Sequence, residues 1–224
     1  MSRARVAALS ARMRAPPAGV ELLCVGLFCS TLAWPSFGTG AFAAAPGSSA
    51  AAPADTAALD QVLQLLAQRR HGHVTFTEVH QLAMLDHPLQ SSGELLYDAP
   101  DRLEKRTLAP KPEDLLLEHG VLTAQRGNRR RVVSLRDYPQ VVPFVESIRA
   151  TLAGDRAALE RYFTLQFSGS VAHWTLKLEP RDATLARTVQ RVRIEGERDA
   201  IRTVEIRQGD GDLSLLTIGA EVSP

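Results

Sequence analysis

Cysteine is nearly missing from this chain. Its 224 residues include only Cys24 and Cys29, both near the N-terminus. No disulfide can staple the rest, and no thiol is left there for catalysis or metal binding. Aromatic residues make up 5% of the chain, so the core must be mostly aliphatic. Charge of one sign is lacking too: 26 Lys and Arg stand against 25 Asp and Glu, a net +1. That balance removes the electrostatic case for a nucleic-acid partner.

The usual signatures of chemistry are also absent. No glycine-rich phosphate loop occurs, and Ser168-Gly169-Ser170 lacks the glycine spacing of a nucleophile elbow. The six histidines are His71, His73, His80, His87, His119 and His173. His71-x-His73 has no third ligand at a telling spacing, so no metal is expected. Asp210 and Asp212 flank Gly211 in a run too short for a calcium loop, which fits a hairpin turn instead. With no catalytic set, the chain is expected to be no enzyme and to need no cofactor.

What is present begins with a leader. Arg3, Arg5, Arg12 and Arg14 precede a short apolar run around Leu22–Cys29, and Ala41-Phe42-Ala43 is a small-x-small cleavage site. Together these predict a signal peptide over residues 1–43, with an uncleaved anchor as the alternative, although the run is short for a membrane span. Cleavage would lower Lys plus Arg from 26 to 22 and Asp plus Glu from 25 to 24, taking the net charge from +1 to −2. Residues 44–54 are rich in Ala, Ser, Pro and Gly and are expected to be a disordered lead-in.

The remaining domain, 55–224, opens with a helix. Asp55 is a plausible N-cap, Leu59, Val62, Leu63 and Leu66 recur at helical spacing, and Gly72 is a stop signal. From there the period becomes two. His73–His80 reads as a strand, and prolines at 100, 110 and 112 punctuate a meander of further strands. Gly127-Asn128 is a hairpin turn, followed by a strand over Arg131–Arg136. Asp137–Gly154 is expected to be a second amphipathic helix interrupted by Pro143, and Asp155 to cap a third. Alternating strands then run to the end.

No strand–helix–strand alternation appears, so a parallel sheet is not expected. The expected fold is mainly β with α (α+β): a single large curved antiparallel sheet, an incomplete barrel, covered by a few amphipathic helices. Such a sheet is apolar on one face. Its candidate inner-face residues are Val74, Phe76, Leu95, Tyr97, Leu103 and Leu115, then Leu117, Val133, Leu135, Trp174, Leu176 and Leu178. Val141, Val145, Ile148 and Leu152 are candidates on the covering helix. Thr75, Thr77, His173, Thr175, Lys177, Thr203, Glu205 and Arg207 alternate with these sets and belong on the polar face. Arg129-Arg130-Arg131 marks a solvated turn or a site for anionic headgroups or an acidic partner.

The order of these pieces resembles the outer-membrane lipoprotein carrier family (LolA-like). The residues that carry the resemblance are Phe76, Ser92-Gly93-x-Leu95, Pro100 and Asp114–Gly120. Trp174-x-Leu176-x-Leu178-x-Pro180 and the closing Ile194-Glu195-Gly196, Ile201–Ile206 and Gly211-Asp212 continue it. It runs roughly from Leu59 to Ile218. It implies helices as a lid over an apolar cavity that shields the acyl chains of a lipidated protein or other lipid across the periplasm. An inner-membrane exporter and an outer-membrane acceptor would be its partners, and the chain is expected to be a monomer. Carriers of this family place an arginine directly before the proline, tying sheet to lid. Here that residue is Ala99, which points to relatives that export glycolipids or lipidic pigments. The alternative is an accessory module of such an exporter with no cargo of its own. In each case the apolar residues above would serve as cavity wall or as plain core.

Overall fold

The period-two pattern that begins after Gly72 becomes one large sheet in the computed structural model of the protein, which describes residues 53–222. All of these lie in a single compact unit, Ala45–Pro224. The expected signal peptide and residues 44–52 of the expected lead-in fall outside the described residues. Pro53 and Ala54, expected in the lead-in, belong to the first helix, α1 (Pro53–Gln68). Asp55 sits inside the first turn, where a carboxylate favours the positive end of the helix dipole. Gly72 is not the helix stop. It lies inside β1 (His71–Gln81), paired with Tyr97.

The strands that follow are β2 (Leu89–Asp98), β3 (Arg102–Ala109), β4 (Glu113–Glu118), β5 (Val121–Arg126) and β6 (Arg129–Ser134). Each pairs antiparallel with the one before it. Leu135 was expected to continue β6. Instead Leu135–Asp137 is a 3-10 turn, because the Ser134 hydroxyl accepts from the Arg136 N–H and ends the ladder. The second helix is correspondingly shorter than expected. It is α2 (Val142–Ala153), and Pro143 stands in its first turn, where a missing N–H costs nothing, rather than interrupting it. Gly154 ends α2 at φ 67°, and a Cβ there would collide with the Leu63 carbonyl. A residue without a side chain is therefore what lets α2 approach α1 closely.

Asp155 caps α3 (Arg156–Tyr162) by accepting from the Ala158 N–H at 2.9 Å, as expected. Five more strands and a short helix follow: β7 (Phe163–Ser170), β8 (His173–Pro180), α4 (Ala183–Ala186), β9 (Val189–Glu197), β10 (Ala200–Gln208) and β11 (Leu213–Glu221). The sheet order is β6-β5-β4-β3-β2-β1-β11-β10-β9-β8-β7. Two meanders thus meet at the β1–β11 pair, and the sheet is open, with β6 and β7 as its edges. The segment carrying α2 and α3 leads from one edge to the other. α1 packs on α2 and β7, and α3 packs on α2 and β7.

The core is unevenly distributed. Leu59, Val62, Leu63 and Leu66 of α1 are buried together with Phe163, Leu176, Leu178, Val192, Ile194 and Val204 of the second meander. Each such side chain withdrawn from water contributes about 1.5–3 kcal/mol. Arg156 adds an ion pair to Asp60 at 2.8 Å, linking α3 to α1. On the first meander the same face is only half covered. Leu95, Leu103, Leu115, Leu122 and Val133 are all intermediate in exposure.

Candidate functional site

Directly paired residues in an antiparallel sheet share a face, so the register fixes where each candidate side chain lies. Val74 opposes Leu95, and Phe76 opposes Gly93. Tyr97 opposes Leu103, which opposes Leu117. Leu117 opposes Leu122, which opposes Val133. Leu115 opposes Ala124. On the other meander, Trp174, Leu176 and Leu178 connect through Gly196, Ile194 and Val192 to the same face. All the strand-borne candidates therefore share one face. Leu135 is buried in the 3-10 turn beside it.

The candidates nonetheless divide into two environments. Trp174, Leu176 and Leu178 are 3%, 1% and 0% exposed, in the solid core of the second meander. The Trp174 Nε1–H donates to the Arg198 carbonyl at 3.1 Å, which pins the ring. A cavity of about 210 Å³ lies between α1, α3 and β7, lined by Thr56, Leu59, Arg156, Glu160, Phe163 and Leu165 among others. That is below the ~300–1,000 Å³ of typical ligand pockets, and half of this lining is polar. The first meander differs: its apolar face is continuous, five strands wide and only partly covered. Adjacent strands lie about 4.8 Å apart, so the row Tyr97, Leu103, Leu117, Leu122, Val133 is roughly 19 Å long.

α2 follows the wall in the chain, joined to β6 through the 3-10 turn. Burial pushes the Tyr97 phenol above its ordinary value, while Arg149 on α2 and Arg70 pull the other way. α2 carries two flanks. Phe144, Ser147, Ala150 and Thr151 are buried. Ser147 and Thr151 are tolerated there because their hydroxyls donate to the Phe144 and Ser147 carbonyls at 2.7 and 2.6 Å. The expected stripe Val141, Val145, Ile148 and Leu152 forms the other flank. Val145 is buried, and the other three are half-exposed. This second flank has apolar surface to spare.

Polarity rises along the strand axis of the wall. The row that holds Tyr97 is wholly apolar. The next row, Val74, Leu95, Lys105, Leu115, Ala124, Arg131, admits two cations. Beyond it lie Thr107 opposite Glu113, with Glu113 paired to Arg126 at 2.9 Å. Further along β1, Glu78 stands on the same inner face as Phe76. It accepts from Lys105 at 2.5 Å, Ser91 at 3.2 Å and Ser214 at 2.8 Å, and His80 is 3.9 Å away. The Lys105 Nζ lies 5.0 Å from the centroid of the Phe76 ring, a cation–π distance. Gly93, opposite that ring, has no side chain to cover it. Burial opposes the Glu78 charge, but the Lys105 ammonium and the hydrogen bonds from Lys105 and Ser214 outweigh it and hold the carboxyl below its ordinary value. The wall is thus amphipathic, apolar at the end near Tyr97 and charged towards the β1–β2, β3–β4 and β5–β6 turns.

Sequence reasoning missed Leu122, Ala124, Lys105 and Glu78 on this face. Alternation along Val121–Gln125 could have found the first two. Nothing in the sequence could have separated Lys105 from a solvated strand lysine, because its partner is 27 residues away. His71 and His73 point to the opposite face, where each meets a carboxylate of β2, Asp98 at 2.8 Å and Glu94 at 3.0 Å. Among the described residues, no cluster of three His, Cys, Asp or Glu is placed to hold a metal ion, and no helix is long and apolar enough to cross a membrane.

The family described as outer membrane lipoprotein carrier protein LolA-like matches residues 50–222. Among solved structures, the Mycobacterium tuberculosis lipoprotein LppX superposes with a TM-score of 0.46 at 12% identity, over 77% of this chain and 97% of that one. A LolA superfamily protein from Nitrosomonas europaea gives 0.39 at 10% identity, over 75% and 94%. The MucA/MucB complex of Pseudomonas aeruginosa gives 0.40 at 15% identity, over 74% of this chain and 58% of that one. No curated protein matches the sequence.

Proposed function

This chain belongs to the LolA-like family of outer membrane lipoprotein carrier proteins, and from that premise we propose that it is a periplasmic carrier holding the acyl chains of a lipoprotein or other lipid. The observation that carries the proposal is the half-covered apolar wall of β2–β6. A solid core would have no use for five half-exposed aliphatic strands in register. An acyl chain laid along them is withdrawn from water at about 0.8 kcal/mol per CH₂, so about ten methylenes contribute roughly 8 kcal/mol, the scale of micromolar binding. Release would then follow displacement of the covering helix α2.

The polarity of the wall orients the cargo. Acyl chains lie at the Tyr97 end, and a polar head lies towards Lys105, Arg131 and the Glu113–Arg126 pair. An inner-membrane exporter would load the carrier and an outer-membrane acceptor would unload it. A second reading, an accessory module of an envelope lipid or pigment exporter without cargo, is favoured by one observation: the inner face of the second meander is fully buried, leaving no room for cargo there. Lipid extraction joined to native mass spectrometry of protein purified from its own envelope separates the two. The carrier is expected to show a bound lipid mass on part of the population. A lipid-free mass throughout, with no uptake of a fluorescent fatty acid, would favour the accessory module.

A further inference from the structure

The strand order brings three turns to the same end of the first meander: β1–β2 (residues 82–88), β3–β4 (110–112) and β5–β6 (127–128). This end carries most of the exposed large aliphatic residues among those described. Met84 is 78% exposed and Leu85 47%, and Leu89 and Leu108 flank the first two turns at 50% and 58%. The tip that presents Met84 is built. The Leu85 N–H donates to the Leu82 carbonyl at 2.9 Å, and the Ala83 N–H donates to the carboxylate of buried Asp212 at 2.8 Å. The third turn is flanked by Arg129, Arg130 and Arg131, exposed and with no ion pair among the described residues, and Lys111 stands on the second. The positive charge is local to the second and third turns, where Lys111, Arg126, Arg129, Arg130 and Arg131 outnumber Glu113 and Asp114, while Asp86, Asp210 and Asp212 lie beside the first turn.

We propose that this end of the sheet docks on an anionic lipid bilayer, with Met84 and Leu85 entering between headgroups and the arginines resting on phosphates. Two observations select a bilayer over an acidic protein. Successive strand residues point to opposite faces, so Arg129 and Arg131 share the inner face while Arg130 lies on the outer one. A protein seated on either face would meet only part of this set, whereas a plane meeting the sheet end-on meets all three. The aliphatic tips also project from turns instead of lining a groove, which suits insertion among chains. The proposal stands independently of the cargo: docking needs no bound lipid, and a carrier need not dock.

The test uses the full chain with Cys24→Ser and Cys29→Ser, bearing an environment-sensitive NBD label at Met84→Cys or, at the opposite end of the sheet, at Ser170→Cys. Vesicles of phosphatidylglycerol and phosphatidylethanolamine are compared with neutral phosphatidylcholine. Fluorescence at residue 84 is expected to rise with the anionic vesicles, to stay flat with the neutral ones, and to stay flat at residue 170. Replacing the two arginines outside the cargo row (Arg129→Gln, Arg130→Gln) should raise the lipid needed roughly thirtyfold, with an unchanged melting profile, because both are exposed. Silence at residue 84, an equal rise at residue 170, or an unaffected arginine variant would overturn the proposal. So would a stable complex with an acidic protein at this end that forms while vesicles are ignored. Lipid extraction reads the carrier function separately, so either can fail alone.

Discussion

Lys105→Met should destabilise the protein by about 3–5 kcal/mol in urea titration, the cost of leaving a buried carboxylate without its counter-charge. Glu78 and Lys105 retain 13% and 18% of their side-chain exposure, far less than a surface pair, and their contact is 2.5 Å. Glu78 also gathers hydrogen bonds from Ser91 and Ser214, so its charge organises β1, β2, β3 and β11 around one point. Lys105→Met combined with Glu78→Gln should recover most of the loss, since the amide still accepts from a serine and no charge is stranded. If each single variant lies within about 0.5 kcal/mol of the parent, the pair behaves as an exposed one and the account of this network is wrong.

The same network sets an acid limit. The folded Glu78 carboxyl titrates below its ordinary value, so the folded state binds fewer protons than the unfolded one as pH falls. Its stabilisation is complete above the ordinary glutamate range and is lost as pH drops through the lowered folded value. Glu78→Gln should flatten that limb of the stability curve.

A larger effect on function is expected at the wall. Leu103→Asp together with Leu122→Asp should weaken uptake of a fluorescent fatty acid on the order of a hundredfold, because carboxylates would lie where the chain must be dry. Both leucines are half-exposed, so the fold should tolerate what Leu117, at 7%, would not. Thr203→Asp, on the opposite face of the sheet, should leave uptake unchanged. Equal uptake by all three proteins would mean that the chain lies elsewhere.

Much of this architecture was legible in the residues. Alternation placed Val74, Leu95, Leu103 and Leu115 on one face and Thr75, Thr203 and Glu205 on the other, and the register agrees. Boundaries were less so. Pro143 looked like a helix interruption but starts α2, since proline is equally at home in a first turn. Ser134 ended β6 through its own hydroxyl, which no periodicity records. The site was harder still. Trp174, Leu176 and Leu178 carry the same pattern as Leu103 and Leu115, yet only the first set is fully buried. Which half of a sheet is covered depends on where its helices land, a long-range fact that alternation does not encode. The polar cluster of Glu78 and Lys105 was hidden for the same reason.

Photo-crosslinking with a diazirine fatty acid, followed by mapping of the labelled peptides, tests the central claim most directly. Label is expected on the wall around Leu103, Leu115 and Leu122 and on the Ile148–Leu152 flank of α2, with little on β8 and β9. Label concentrated on α1 and β7, or spread evenly over the surface, would contradict it.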